Sequence, residues 1–195
     1  VFTYKDFCEA VSNAGQDGYI KLYNNINISS FPTNKWMDIG GSLTIDFNGF
    51  SITWDTDTYE SATLPYNCEN WSYTFCGNGR FVTSSFDING EFNIKNSVDV
   101  NRVAITNNST VTMYDGVISE DVYFKEANGS FVMYDGVCGF IRMNNSYSHQ
   151  NNIEIYNDLC GKCYEINTYN NDIIATFEKD GTNLNIQNVK KLGVG

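Results

Sequence analysis

One nine-residue pattern returns along this chain, and its return constrains the fold more than any other feature. Val111-Thr-Met-Tyr-Asp-Gly-Val-Ile-Ser119, Phe131-Val-Met-Tyr-Asp-Gly-Val-Cys-Gly139 and Ile153-Glu-Ile-Tyr-Asn-Asp-Leu-Cys-Gly161 lie 20 and 22 residues apart. Weaker copies extend the beat to Phe92-Asn-Ile-Lys-Asn-Ser-Val98 and Ile174-Ala-Thr-Phe-Glu178, with Ile20-Lys-Leu22 and Leu43-Thr-Ile45 upstream. Within each copy apolar residues alternate with others, the period of a strand with one buried face. Strands that return on a beat near 20, with no helix between them, bury that face by stacking on one another. Turn dipeptides keep the same time: Asn48-Gly49, Asn89-Gly90, Asp115-Gly116, Asp135-Gly136 and Asp180-Gly181. Asn, Asp and Gly suit left-handed turn positions.

The expected fold is therefore all-β: one right-handed, single-stranded parallel β-helix, a solenoid filling residues 1–195 as one domain. An antiparallel sandwich is the competing architecture. It predicts turns every 8–12 residues but no long-range return of the same sequence. A helical cap is expected over residues 3–14, opened by Thr3-Tyr-Lys-Asp6 as a capping box with Asp in the Glu position. Phe7, Ala10, Val11 and Ala14 follow at helical spacing, and Gly15 ends the run.

Asp6-Phe-Cys-Glu-Ala-Val11, Tyr19-Ile-Lys-Leu-Tyr-Asn-Asn-Ile-Asn-Ile28 and Leu43-Thr-Ile-Asp-Phe-Asn-Gly-Phe-Ser-Ile-Thr53 together resemble the opening of pectin-lyase-like right-handed β-helix proteins. The resemblance implies a carbohydrate-leaning role, since such proteins include polysaccharide lyases, glycosidases, phage tailspikes and adhesin-like surface proteins. Tailspikes also imply a homotrimer by likeness. Fold alone does not give function.

Residues 55–80 interrupt the beat with an aromatic-rich insertion. Trp54, Tyr59, Tyr66, Trp71 and Tyr73, beside Asp, Glu and Asn, suit stacking on sugars and bonding their hydroxyls. Tyr114, Tyr134 and Tyr156 occupy one repeat position and predict an outward row that could meet a glycan or protein surface. Asp115 and Asp135 fall at matching positions, and stacked strands would hold their carboxylates roughly 4.8 Å apart. Retaining glycosidases use about that spacing. Asp158 and Glu178 extend the row. The plainer reading is an Asp-Gly turn repeated with its repeat.

The lyases implied by the resemblance pair Ca²⁺-binding acids with a basic group. Lys95, Lys125, Arg142 and Lys162 are the basic candidates, but none stands in a lyase motif and no polygalacturonase signature is present. No other cofactor is implied, and the residues call for no resident metal. Cys160-Gly-Lys-Cys163 has ligand spacing yet lacks the second pair that a zinc site needs. Cys68 and Cys76 could close the aromatic loop by a disulfide in an oxidising compartment. Cys138 and Cys160 share a repeat position and are expected to stack as packed thiols. His149, the single histidine, has no nucleophile elbow beside it.

Charge narrows the partners. Twelve Lys and Arg against 23 Asp and Glu give a net charge of −11, which disfavours nucleic acid. No apolar run reaches the roughly 18 residues of a membrane span. Three readings follow. The first is a non-catalytic recognition or scaffold module of a cell surface or virion, adhesin-like or tail-like. The second is a polysaccharide lyase or glycosidase using carboxylates on one face. The third is a phage or parasite protein that sequesters a host factor inside a cell.

Overall fold

The computed structural model describes residues 1–13, 17–28, 42–54, 62–63, 72–83, 86–88, 90–143, 151–155, 164–168 and 173–177. Among the described residues one helix, α1 (Tyr4–Asn13), precedes the strands. Its capping box forms as the sequence predicts. The Asp6 backbone N–H donates to Thr3 Oγ1 at 3.1 Å, and the Thr3 N–H donates back to Asp6 Oδ2 at 3.1 Å. Phe7 and Val11, one turn apart, are buried against the first strands.

The described strands, numbered along the chain, form two sheets. The seven-stranded sheet runs in the order β1 (Asp17–Lys21), β3 (Ser42–Asp46), β6 (Ser72–Cys76), β9 (Glu91–Ile94), β11 (Thr110–Met113), β13 (Ser130–Met133) and β15 (Asn152–Ile155). The ten-stranded sheet contains β2 (Ile26–Ile28), β4 (Ser51–Trp54), β7 (Arg80–Val82), β10 (Asp99–Ile105), β12 (Val117–Phe124), β14 (Val137–Met143), β16 (Tyr164–Thr168) and β17 (Ile173–Phe177) along its main path. Two short strands, β5 (Ala62–Thr63) and β8 (Phe86–Ile88), join it beside β10.

The single right-handed β-helix expected from the repeat is corrected here. The strands build two stacked parallel sheets, and the larger one ends on an antiparallel pair, β16 with β17. The return is also uneven. Ser42 pairs with Ser72, thirty positions on, whereas Thr110 pairs with Ser130. A recurring sequence dictates which residues meet across neighbouring strands. It does not dictate how many sheets those strands make or how a sheet ends.

Register itself follows the repeat. Val111, Phe131 and Ile153 are cross-strand partners, as are Met113 and Met133 with Ile155 opposite. Parallel pairing of this kind excludes the antiparallel sandwich for these strands. Alternation puts Tyr73, Phe92, Val111 and Phe131 inside and leaves Ser72, Thr74, Thr110, Thr112 and Ser130 half-exposed outside. The two sheets meet through aromatic rings. Phe75 of β6 lies 5.3 Å from Phe81 of β7 and 4.8 Å from Phe92, both edge-on. Cys138 packs in this core opposite Ile118, and burial pushes its thiol up to about 12. Its expected neighbour Cys160 lies outside the described residues.

Asparagine supplies left-handed corners, at Asn48 as the Asn48-Gly49 dipeptide predicts and at four further positions. Asn48, Asn78, Asn96, Asn108 and Asn128 have φ between 49° and 57°. Side chains also close these corners. The Gly129 N–H donates to Oδ1 of buried Asn151 at 2.8 Å, and the Gly90 N–H donates to Ser109 Oγ at 3.0 Å.

Candidate functional site

The outer face of the seven-stranded sheet gathers the polar and aromatic groups best placed to meet a ligand. Strand alternation creates it, because each buried residue forces its neighbours outward. Two rows cross the middle of this wall. One holds Ser72, Glu91, Thr110 and Ser130, and the other Thr74, Asn93, Thr112 and Val132. Lateral bonds fix the rows. Asn93 Nδ2 reaches Ser72 Oγ and the Tyr73 carbonyl, each at 3.3 Å, and Asn152 Nδ2 reaches Ser130 Oγ at 3.4 Å. Glu91 is the one acid among these eight residues, and Glu154 of β15 stands next in the second row, opposite Val132.

An aromatic ridge borders the rows just past the strand ends. The Tyr114 N–H donates to the Ile94 carbonyl and the Tyr134 N–H to the Met113 carbonyl, both at 2.8 Å. The strand ladder therefore continues through both tyrosines and sets their rings side by side. The centroids lie 5.4 Å apart with planes inclined by 17°, and the residues are 44% and 47% exposed. Lys95 Nζ sits 4.6 Å from the Tyr114 centroid on the side of β9. Both faces of Tyr114 are thus covered, one by an ammonium and the other by Tyr134. The ridge offers ring edges and phenolic oxygens to solvent.

Towards the β1 edge of the same sheet, in register with Lys21 and Cys76, Asp46 is a hub. Its Oδ2 accepts from Tyr19 Oη at 2.6 Å and lies 3.3 Å from Lys21 Nζ, while Oδ1 accepts from the Asn48 N–H at 2.9 Å. Burial pushes the Asp46 carboxyl upward, but the bonds from Tyr19, Asn48 and Lys21 outweigh it and hold the acid below its usual value. The same Tyr19–Asp46 bond raises the Tyr19 phenol to about 12. The neighbouring Cys76 thiol is raised by burial and by Asp46, which disfavours the reactive thiolate.

Asp46 has a measurable pH signature. A carboxyl whose folded pKa is depressed contributes stability above its unfolded value, and that contribution is lost as pH falls through the folded one. Tyr19→Phe should therefore lower stability at pH 7, with the gap from the parent chain narrowing on acidification below about pH 4. Denaturant titrations between pH 7 and pH 2 would check this. A gap unchanged across that range would contradict the Asp46 linkage.

The other residues singled out from sequence are distributed as follows. Asp115 and Asp135 form turns. Each Oδ1 accepts the N–H of the following glycine, at 2.7 and 2.6 Å, and Ser97 Oγ adds a 3.2 Å contact to Asp115 Oδ2. Tyr73 departs from the expectation of an exposed loop aromatic. It lies on β6 with 3% exposure, inside the core, because Ser-Tyr-Thr-Phe-Cys alternates as a strand. A ring so placed presents no surface to a ligand. Trp54 ends β4, its backbone opposite Ile28. Tyr59, Tyr66, Trp71, Tyr156, Asp158, Glu178, His149, Lys162, Cys68, Cys160 and Cys163 lie outside the described residues. Cys76 carries a free thiol on the outer side of β6.

The candidate bases are engaged elsewhere. Lys125 Nζ contacts Asp87 Oδ2 at 2.7 Å, a bond that raises its pKa and keeps it charged. Arg142 and Arg102 both grip Asp121, whose side chain is 2% exposed, and Arg102 also reaches Glu120 at 3.3 Å. Sequence reasoning missed this network because its members come from three different strands. It also missed the hydroxyl- and amide-rich rows, of which the quoted repeat shows only one position, with Thr112, Val132 and Glu154 in its three copies. Among the described residues no three His, Cys, Asp or Glu side chains converge as a metal site. Comparison with known protein families, with curated proteins and with solved structures finds no match to this chain.

Proposed function

We propose that this chain is a non-catalytic recognition module that binds a glycan across the outer face of its seven-stranded sheet. The observation that carries this reading is the exposed Tyr114–Tyr134 ridge standing beside in-register rows rich in Thr, Ser and Asn, with Glu91 among them. A neutral polyhydroxyl ligand needs donors and acceptors that exchange for water without the cost of stripping ions. Hydroxyls and amides supply both, and tyrosines add rigid amphipathic area at low entropy cost. Because Lys95 and Tyr134 cover the faces of Tyr114, the ridge would engage sugars through phenolic hydrogen bonds and ring edges rather than by flat stacking. The wall is held by backbone ladders and lateral side-chain bonds, so little ordering is required on binding.

A glycan array followed by titration of the best ligand tests the reading. The Tyr114→Ala, Tyr134→Ala double variant should bind more weakly by about 2 kcal/mol, close to thirtyfold. Tyr73→Phe, inside the core, should bind as the parent does. Binding that survives loss of both ridge tyrosines, or an array without any ligand, would refute the assignment.

A further inference from the structure

We infer that Tyr114 and Tyr134 form a built oxidative cross-linking site, where one-electron oxidation joins β11 to β13 through a dityrosine bond. The inference rests on the geometry of the pair and is independent of what the wall binds. Their rings are neighbours by construction. Met113 and Met133 are register partners, and the next residue on each strand continues the ladder through its own N–H. Two phenols are thereby held 5.4 Å apart, nearly parallel, with close to half of each residue open to a diffusing oxidant. Lys95 covers the opposite face of Tyr114, which leaves Tyr134 as the ring against which a radical there can couple.

The chemistry balances with a peroxide as oxidant, acting through a peroxidase. Each phenol gives up one electron and one proton to become a phenoxyl radical, and hydrogen peroxide takes both electrons and both protons to become two waters. The radicals join ortho carbon to ortho carbon, and the two displaced ring protons move to the phenolic oxygens. The product is a biphenol lighter by two hydrogen atoms. Preorganisation favours this path. Rings already in contact couple without the diffusional encounter that two separate molecules require.

Accessibility alone predicts a different outcome. Tyr19 is 61% exposed and Tyr23 is 49% exposed, both above the ridge pair. Tyr23 stacks on Phe2, which bears no phenol, at 5.3 Å. The experiment treats dilute protein with a peroxidase and limiting hydrogen peroxide, then maps linked peptides by mass spectrometry. The expected result is an intramolecular link between Tyr114 and Tyr134, with dityrosine fluorescence that falls to background in Tyr114→Phe and in Tyr134→Phe. Both variants keep the ring and so keep the packing, which separates lost chemistry from lost folding. Links that involve Tyr19 or Tyr23 instead, products that are mainly between molecules, or fluorescence that persists in either Phe variant would overturn the inference.

Discussion

Replacing Asp121 by Ala should destabilise the protein by about 3 kcal/mol, lowering the melting temperature by about 6–12 °C for a chain of this size. Asp121 is 2% exposed, and its two oxygens are divided between two guanidinium groups, Oδ1 to Arg102 and Oδ2 to Arg142. Removing the carboxylate leaves two cations side by side, each with only a third of its side chain in water. Breaking a buried pair costs roughly 3–5 kcal/mol because the remaining charge is uncompensated. The lower end applies here, since the arginines can turn partly to solvent and Arg102 keeps Glu120. Asp121→Asn should lose most of the same energy, as the amide keeps the shape but not the charge. The triple variant that combines Arg102→Met, Asp121→Leu and Arg142→Met should recover much of it, because no charge is then left without its partner. Chemical denaturation of the three variants reads the outcome. A cost below about 1 kcal/mol for Asp121→Ala would mean the arginines behave as an exposed ion pair does.

That network also marks where the sequence stopped being readable. The register of β11, β13 and β15 was legible because Val111, Phe131 and Ile153 begin three copies of one pattern, and the strands align on it. The Thr3–Asp6 cap and the left-handed Asn48 were legible for a similar reason, since each depends on a few adjacent residues. In the larger sheet, alternation fails. The pairing of β10 with β12 shifts between Val100 and Arg102, and that of β12 with β14 shifts after Ile118. The bulge re-aims Asp121 so that it is buried, although Ser119-Glu-Asp121 reads as an exposed polar stretch. Nothing local in the sequence announces that a carboxylate there will meet arginines 19 and 21 positions away. The same limit explains the fold. Periodicity encodes which residues are neighbours in a sheet, while the division into two sheets and the antiparallel closing pair depend on turns whose geometry no repeat records. Tyr73 is the counter-example: its burial was readable from strand alternation but was obscured by the aromatic loop before it.

Gly136→Ala should cost about 3–5 kcal/mol, the sum of a strained backbone and an overpacked corner. Gly136 has φ 101°, a region that L side chains rarely adopt, and a Cβ there would collide with the Gly116 carbonyl oxygen and stand 2.5 Å from Met113 Cε. The methionine tip can swing aside, but the carbonyl cannot. It accepts the Val137 N–H at 2.9 Å and so belongs to the ladder itself. Gly116 repeats the arrangement one strand earlier, with φ 119° and its would-be Cβ 2.5 Å from the Val98 carbonyl oxygen. Gly49 separates the two contributions. Its φ of 82° is also positive, yet the nearest atom to a Cβ would be 3.9 Å away. Gly49→Ala therefore carries the backbone strain alone and should cost about 1–2 kcal/mol. Unfolding midpoints for the three variants should fall in that order, with Gly116→Ala close to Gly136→Ala and Gly49→Ala well above both. If all three lost the same stability, φ alone would set the cost and the close approach of successive Asp-Gly corners would contribute nothing. The sheet stack would then be looser at Asp115-Gly116 and Asp135-Gly136 than the ladder through Val98, Gly116 and Val137 requires.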